Sequence, residues 1–255
     1  MSGAHAHALY YHGHSRIHAL PAECKIAAQL LFVFVVVATP REAVWAFGLY
    51  GAIVAALAAA ADLPFGFVVR RLAIEIPFVA FALLLPFLSS GERTDVLGIS
   101  VSREGLWGAW NILAKGTLGV AASVIVASTT TMPELLRGFE RLRMPAIFTS
   151  IASFMIRYLD VIADEMRRMR VARLSRGHDP RWIWQARAVA ASAGALFIRS
   201  YERGERVYLA MQARGYEGRM PSVGGVAATR AAWLAALTVP VVALVVCLVA
   251  WGTLR

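Results

Sequence analysis

The side chains best placed for chemistry in this sequence are two arginines, Arg176 and Arg214, each followed by a glycine and each closing a charged, amphipathic stretch. The endings read Ser175-Arg176-Gly177 and Ala213-Arg214-Gly215. An offset of 38 positions superposes them, setting Asp164 on Glu202, Arg168 on Arg206, Ala172 on Ala210, Arg176 on Arg214 and Asp179 on Glu217. Glycine just past a helix end takes the left-handed conformation that closes it at little steric cost, so each copy predicts a helix stopping at its glycine. The arginine then sits in the last turn. Its charge meets the negative end of the helix dipole there, worth about 0.3 to 1 kcal/mol, while its planar fork stays free. A single Arg-Gly ending is an ordinary cap; two in one basic block call for more than that.

Other chemistries find no residues. No GxxxxGK[ST] loop is present, since Gly108 is followed five positions later by Leu113, so phosphates cannot be cradled that way. HExxH and nucleophile-elbow patterns are missing too. Cys24 and Cys247 lie at opposite ends of the chain without a CxxC or Cys/His spacing. We expect no catalytic residues, no resident metal and no cofactor, and therefore no enzyme. The first 21 residues hold His5, His7, His12, His14 and His18; they form neither a signal peptide nor a fixed ligand set, and read as a disordered tail.

The frame holding the arginines is apolar. The 255 residues are 58% hydrophobic with a mean hydropathy of +0.59, too apolar for an ordinary soluble domain, so the chain reads as an all-α polytopic membrane protein. Lys and Arg exceed Asp and Glu by ten, 26 against 16. Because this charge alternates with membrane-length apolar runs, the positive-inside rule explains it better than nucleic-acid binding.

Residues 22–132 predict four spans. Ile26 to Ala61 gives two, turning at Thr39-Pro40-Arg41-Glu42; Leu72 to Ser89 and Gly105 to Thr131 give the third and fourth. Ala231 to Gly252, within residues 229–255, is a fifth. The link Asp62 to Arg71 carries Arg70 and Arg71, whereas Ser90 to Glu104 is a slightly acidic polar loop, so the amino terminus is expected in the cytoplasm of a plasma (inner) membrane protein. Within the spans only Glu75, Asn111 and Lys115 are strongly polar, and Lys115 either pairs with a partner or snorkels.

Residues 133–228 carry sixteen arginines, no lysine and nine acids. The apolar runs Met144 to Ile156 and Ala188 to Ile198 are too short to span. Helical stripes continue them: Met155, Leu159, Ile162, Met166 and Met169 in the first copy, and Phe197, Tyr201, Tyr208 and Met211 in the second. Asp164–Arg168 and Glu202–Arg206 have the spacing and order of helical ion pairs. This block is expected to be a cytoplasmic domain of amphipathic helices whose stripes are contact surfaces.

Taken together, the chain resembles the transmembrane T component of energy-coupling factor (ECF) transporters, of the CbiQ type. The resemblance rests on Ser15-Arg16-Ile17-His18-Ala19-Leu20-Pro21 through Lys25, on Met132-Pro133-Glu134, and on the two Arg-Gly endings. In that family the endings are Ala-Arg-Gly signatures on cytoplasmic coupling helices. The second matches in full; the first has Ser175 in place of alanine. The resemblance implies a non-catalytic scaffold joining cytoplasmic ABC ATPase subunits to a membrane substrate-binding subunit, with a small accessory membrane subunit also in prospect, for cobalt uptake. It implies that Arg176 and Arg214, with Ser175, Gly177, Ala213 and Gly215, couple to the ATPases. Nickel or a vitamin as substrate, or a stand-alone carrier, are the alternatives.

Overall fold

The computed structural model describes residues 10–89, 93–96, 99–178, 186–218 and 228–253. His5, His7, Glu92, Asp179 and Gln185 lie outside the described residues. The chain divides into two units, one taking in Leu9–Gly138 with Val226–Arg255 and the other Phe139–Gly225.

In the first unit a short α1 (Arg16–Ala19) leads into α2 (Ala22–Ala38) and α3 (Val44–Ala60), which meet at the expected turn. Helix α4 (Phe65–Leu72), a 3-10 turn (Ala73–Glu75) and α5 (Ile76–Leu88) make one continuous helical run. Two short strands, β1 (Arg93–Val96) and β2 (Ile99–Ser102), pair antiparallel with Arg93 opposite Ser102. Helix α6 (Arg103–Thr129) starts at the Ser102 cap, whose hydroxyl accepts the Gly105 amide. Helix α7 (Met132–Arg141) follows, and α10 (Arg230–Thr253) closes the unit.

Three expectations change here. The third apolar segment starts at Phe65, not Leu72, so Arg70 and Arg71 sit on a helix rather than in a link. Pro77 lacks the amide that would close the preceding turn, which accounts for the 3-10 break at Ala73–Glu75. The polar loop after α5 contains the hairpin. The described part of the amino-terminal tail is ordered: the Tyr11 amide donates to the Ser128 carbonyl, and the His18 ring bridges the Ser15 hydroxyl at 2.8 Å and the Tyr11 carbonyl at 3.0 Å. His18 is therefore a structural residue of the fold.

Phe65–Leu88, Arg103–Thr129, Ala146–Ser175 and Arg230–Thr253 are long and apolar enough to cross a membrane, and Val44–Ala60 is a shorter apolar helix. The protein is an all-α polytopic membrane protein, with one hairpin among the described residues. Its core gathers Phe32, Val36, Phe47, Tyr50, Leu118 and Ile125. Tyr50 is fully buried; its hydroxyl donates to the Ala243 carbonyl at 3.2 Å and meets the Thr39 hydroxyl at 2.9 Å.

The chain contains two lysines among its 26 basic residues, and both cap the carboxyl end of a neighbouring helix. Lys25 is buried and donates to the Thr129 carbonyl at 2.8 Å, with the Thr130 hydroxyl and His18 carbonyl each at 3.2 Å. Lys115 donates to the Val37 carbonyl at the end of α2 at 2.7 Å, and Trp251 donates to the next carbonyl, Ala38, at 3.1 Å. The last carbonyls of a helix have no partner within it, and a cation there also meets the dipole. Of the two roles open to Lys115, it pairs, and the partner is backbone. Glu75 is buried against Gly116, where an added Cβ would come within 2.6 Å of its Oε1.

Candidate functional site

The second unit is built on α8 (Ala146–Ser175) and α9 (Ala186–Gln212). The two apolar runs that looked too short to span are the opening halves of these 30- and 27-residue helices. Helix α8 is long enough for a span and contains an 18-residue stretch apolar enough for one, although Arg157 and Asp160 lie within the helix.

Both helices end alike. After α8, the Gly177 amide donates to the Leu174 carbonyl at 2.9 Å and the His178 amide to Arg173 at 3.1 Å. After α9, the Gly215 amide donates to Gln212 at 2.9 Å and the Tyr216 amide to Met211 at 3.0 Å. These are two copies of the Schellman arrangement, with the glycines left-handed at φ +75° and +81°. Arg176 and Arg214 thus occupy the same capping position, and both are exposed, as are Ser175, Gly177, Ala213 and Gly215. The Ser175 hydroxyl donates back to the Val171 carbonyl at 3.0 Å, so the residue that replaces alanine keeps its polar group on its own helix. What this geometry offers is two guanidinium forks, each at the negative end of a helix and suited to bidentate contact with a carboxylate.

The 38-residue offset extends to the packing. Along α9 from Ala188 to Met211, the residues shielded from solvent are Ala188, Ser192, Leu196, Ser200, Arg203, Val207 and Met211. Subtracting 38 from each gives Ser150, Phe154, Tyr158, Ile162, Glu165, Met169 and Arg173, all of them shielded on α8. Seven shielded positions are thus shared between the copies, although α8 also shields Ala152, Ile156, Asp160 and Ala163, whose counterparts on α9 are exposed.

At the centre of this face Glu165, 8% exposed, accepts from Arg199 at 3.1 Å and from Arg203 at 3.2 Å. Beside the triad, Phe154, Tyr158, Ile162, Val207 and Met211 line an open groove of about 370 Å³. Sequence reading passed over Glu165, which stands at i,i+3 spacing from Arg168 on its own helix but finds its partners on α9. The signal that could have found it is the offset itself, which sets Glu165 on Arg203, opposite charges at equivalent positions.

The structure divides the expected stripes. Ile162, Met169 and Met211 lie on the shielded faces, but Met155, Leu159, Met166, Phe197, Tyr201 and Tyr208 are exposed. An apolar sector wider than about 100° cannot all reach one neighbouring helix. The expected ion pairs change as well: Asp164 pairs with Arg167 rather than Arg168. Among the described residues no group of three or more His, Cys, Asp or Glu is arranged to hold a metal.

Comparison with known proteins accords with this architecture. The chain is 28% identical over 172 residues to the cobalt transport protein CbiQ of Rhodobacter capsulatus, covering 65% of this chain and 70% of that protein. It is 26% identical over 226 residues to the energy-coupling factor transporter transmembrane protein EcfT of Listeria innocua, covering 82% and 83%. An uncharacterized protein of Methanocaldococcus jannaschii is 29% identical over 130 residues, half of this chain and 48% of that protein. The model of the CbiQ cobalt transport protein family matches residues 13–223. With most of its length so matched, and with its apolar helices in place, the chain belongs to the CbiQ cobalt transport protein family.

Proposed function

We propose that this protein is the transmembrane T component of an ECF transporter, a non-catalytic scaffold that couples ATP hydrolysis by cytoplasmic ABC ATPase subunits to cobalt uptake through a membrane-embedded substrate-binding subunit. The observation that carries the reading is the pair of superposable helix endings, each presenting an exposed arginine beside a left-handed glycine. An arginine so held can enter an acidic groove and be clamped there by a carboxylate. Residues 133–228 are the cytoplasmic coupling domain in this reading, with the amino terminus on the same side. Cobalt follows the family description.

The test is the double substitution Arg176→Ala with Arg214→Ala in the assembled transporter. Removing one partner of a desolvated charge pair costs about 2 to 5 kcal/mol. The double variant is therefore expected to reach the membrane, lose its ATPases on detergent solubilisation, and take up no labelled cobalt. Retention of both ATPases with full uptake would refute the docking role. Charge reversal to Glu should be worse than Ala, because it adds repulsion from the acidic groove.

A further inference from the structure

Glu165 and Arg203 are counterparts in the 38-residue repeat, and they touch. When two elements pair through equivalent faces, a residue that meets its own counterpart marks the centre of the contact. From that centre each arm has the same length. Arg176 lies eleven residues beyond Glu165 and Arg214 eleven beyond Arg203, roughly 16 Å along each helix at its standard rise. Any change of angle at the centre therefore moves both arginines by similar amounts.

The chemistry at this point suits a clamp. Glu165 is the one charged residue buried on either helix, and both of its oxygens are engaged, Oε1 by Arg199 and Oε2 by Arg203. Arg199 and Arg203 are one helical turn apart, so a single carboxylate bridging them fixes how α9 is rotated as well as how near it lies. The surrounding contacts are an open apolar groove and Gly204, whose added Cβ would meet nothing within 4 Å. Close steric interlock at Gly204 does not set the angle.

We infer that the Glu165–Arg199–Arg203 triad is a positioning clamp that sets the angle between α8 and α9, and through it the separation at which Arg176 and Arg214 are presented. The inference rests on the docking role proposed for those two arginines. None of the three clamp residues is assigned a contact with the ATPases or the substrate.

The experiment uses the full transporter with Cys24 and Cys247 changed to alanine. Spin labels are placed on cysteines at Ala172 and Ala210, exposed repeat-equivalent positions one turn before the two endings. Pulsed electron resonance reads the distance between them, and the same preparation yields cobalt uptake per ATP hydrolysed. Glu165→Gln is expected to broaden or shift the distance distribution and to lower uptake per ATP several-fold while the ATPases stay bound. Glu165→Asp, which keeps the charge, should recover part of both. Should Glu165→Gln fail to accumulate, Arg199→Gln with Arg203→Gln attacks the clamp from the other helix and carries the same expectation. An unchanged distance distribution, or a changed one with full uptake per ATP, would overturn the inference. Arg176→Ala with Arg214→Ala, measured in parallel, should release the ATPases without altering the label distance. Retained ATPases there would sink the docking role and leave the clamp geometry standing.

Discussion

At the scale of single residues, the two lysines and the two capping glycines make the sharpest claims. Lys25 is buried and satisfies three oxygens at once, including the carbonyl at the end of α6. Lys25→Met keeps the volume but strands those acceptors, at about 1 to 3 kcal/mol for the buried group left unpaired. The expected outcome is a lower thermal midpoint for the detergent-solubilised protein. Lys25→Arg should not restore it, because a planar fork cannot aim its donors as a compact ammonium does. The glycines behave differently. A Cβ at Gly177 or Gly215 would meet nothing within 4 Å, so the cost of Gly177→Ala or Gly215→Ala is purely the left-handed backbone, about 1 to 2 kcal/mol. Asparagine tolerates that region better, so Gly177→Asn should lose less protection from amide exchange in the last turn of α8 than Gly177→Val.

Between elements, close approach is decided by which glycine faces which backbone. Gly105 and Gly108 sit one turn apart on α6. A Cβ on Gly105 would come within 2.7 Å of the Leu85 carbonyl and of the Pro86 Cα, whereas one on Gly108 would only touch the Leu85 side chain at 3.8 Å. Backbone cannot move aside as a side-chain tip can. Gly105→Ala is thus expected to destabilise the α5–α6 pair by about 1 to 3 kcal/mol, seen as a lower unfolding midpoint, and Gly108→Ala to be near neutral. Helix α7 is set by a different device, since Glu134 accepts the Thr131 amide at 2.9 Å in the manner of a capping box. Gly138 then lies against Ile26 and Ala22 of α2. The helix that begins at Met132-Pro133-Glu134 thus packs, through Gly138, against Ala22 in the amino-terminal opening of the chain.

For the molecule as a whole, the question is which side of the membrane each segment faces. Sixteen arginines between residues 133 and 228 are costly to carry across a bilayer, at about 2.5 to 3.5 kcal/mol for each one placed at its centre. We therefore predict that cysteines introduced at Asp179 and at Gly218 resist an impermeant thiol reagent added from outside, and that one at Thr94 reacts. Labelling at Asp179 would instead favour a seven-span topology in which α8 and α9 cross, and would remove Arg176 from the reach of a cytoplasmic ATPase. A further expectation concerns the substrate. Deleting Met1 to His14 should leave metal selectivity unchanged in a cobalt versus nickel uptake assay, since a scaffold does not select the ion; a switch in preference would show that this tail reads the metal.

The sequence by itself determined whatever depends on local or summed properties. Hydropathy over some twenty residues placed the apolar helices, because burying that much apolar surface in lipid outweighs other local preferences. Glycine's freedom at positive φ placed the two helix ends at Gly177 and Gly215, because the steric rule acts within one residue. Tertiary structure decided everything that needs a partner distant in sequence. That Lys25 caps α6 across 104 residues and that His18 belongs to the fold both depend on which helix ends come together. Glu165 binds Arg199 and Arg203 rather than a neighbour on its own helix, and the apolar stripes divide between a packed row and an exposed one. Periodicity names the sector of a helix that is apolar, but only the position and angle of the neighbouring helix select the row within that sector that is buried.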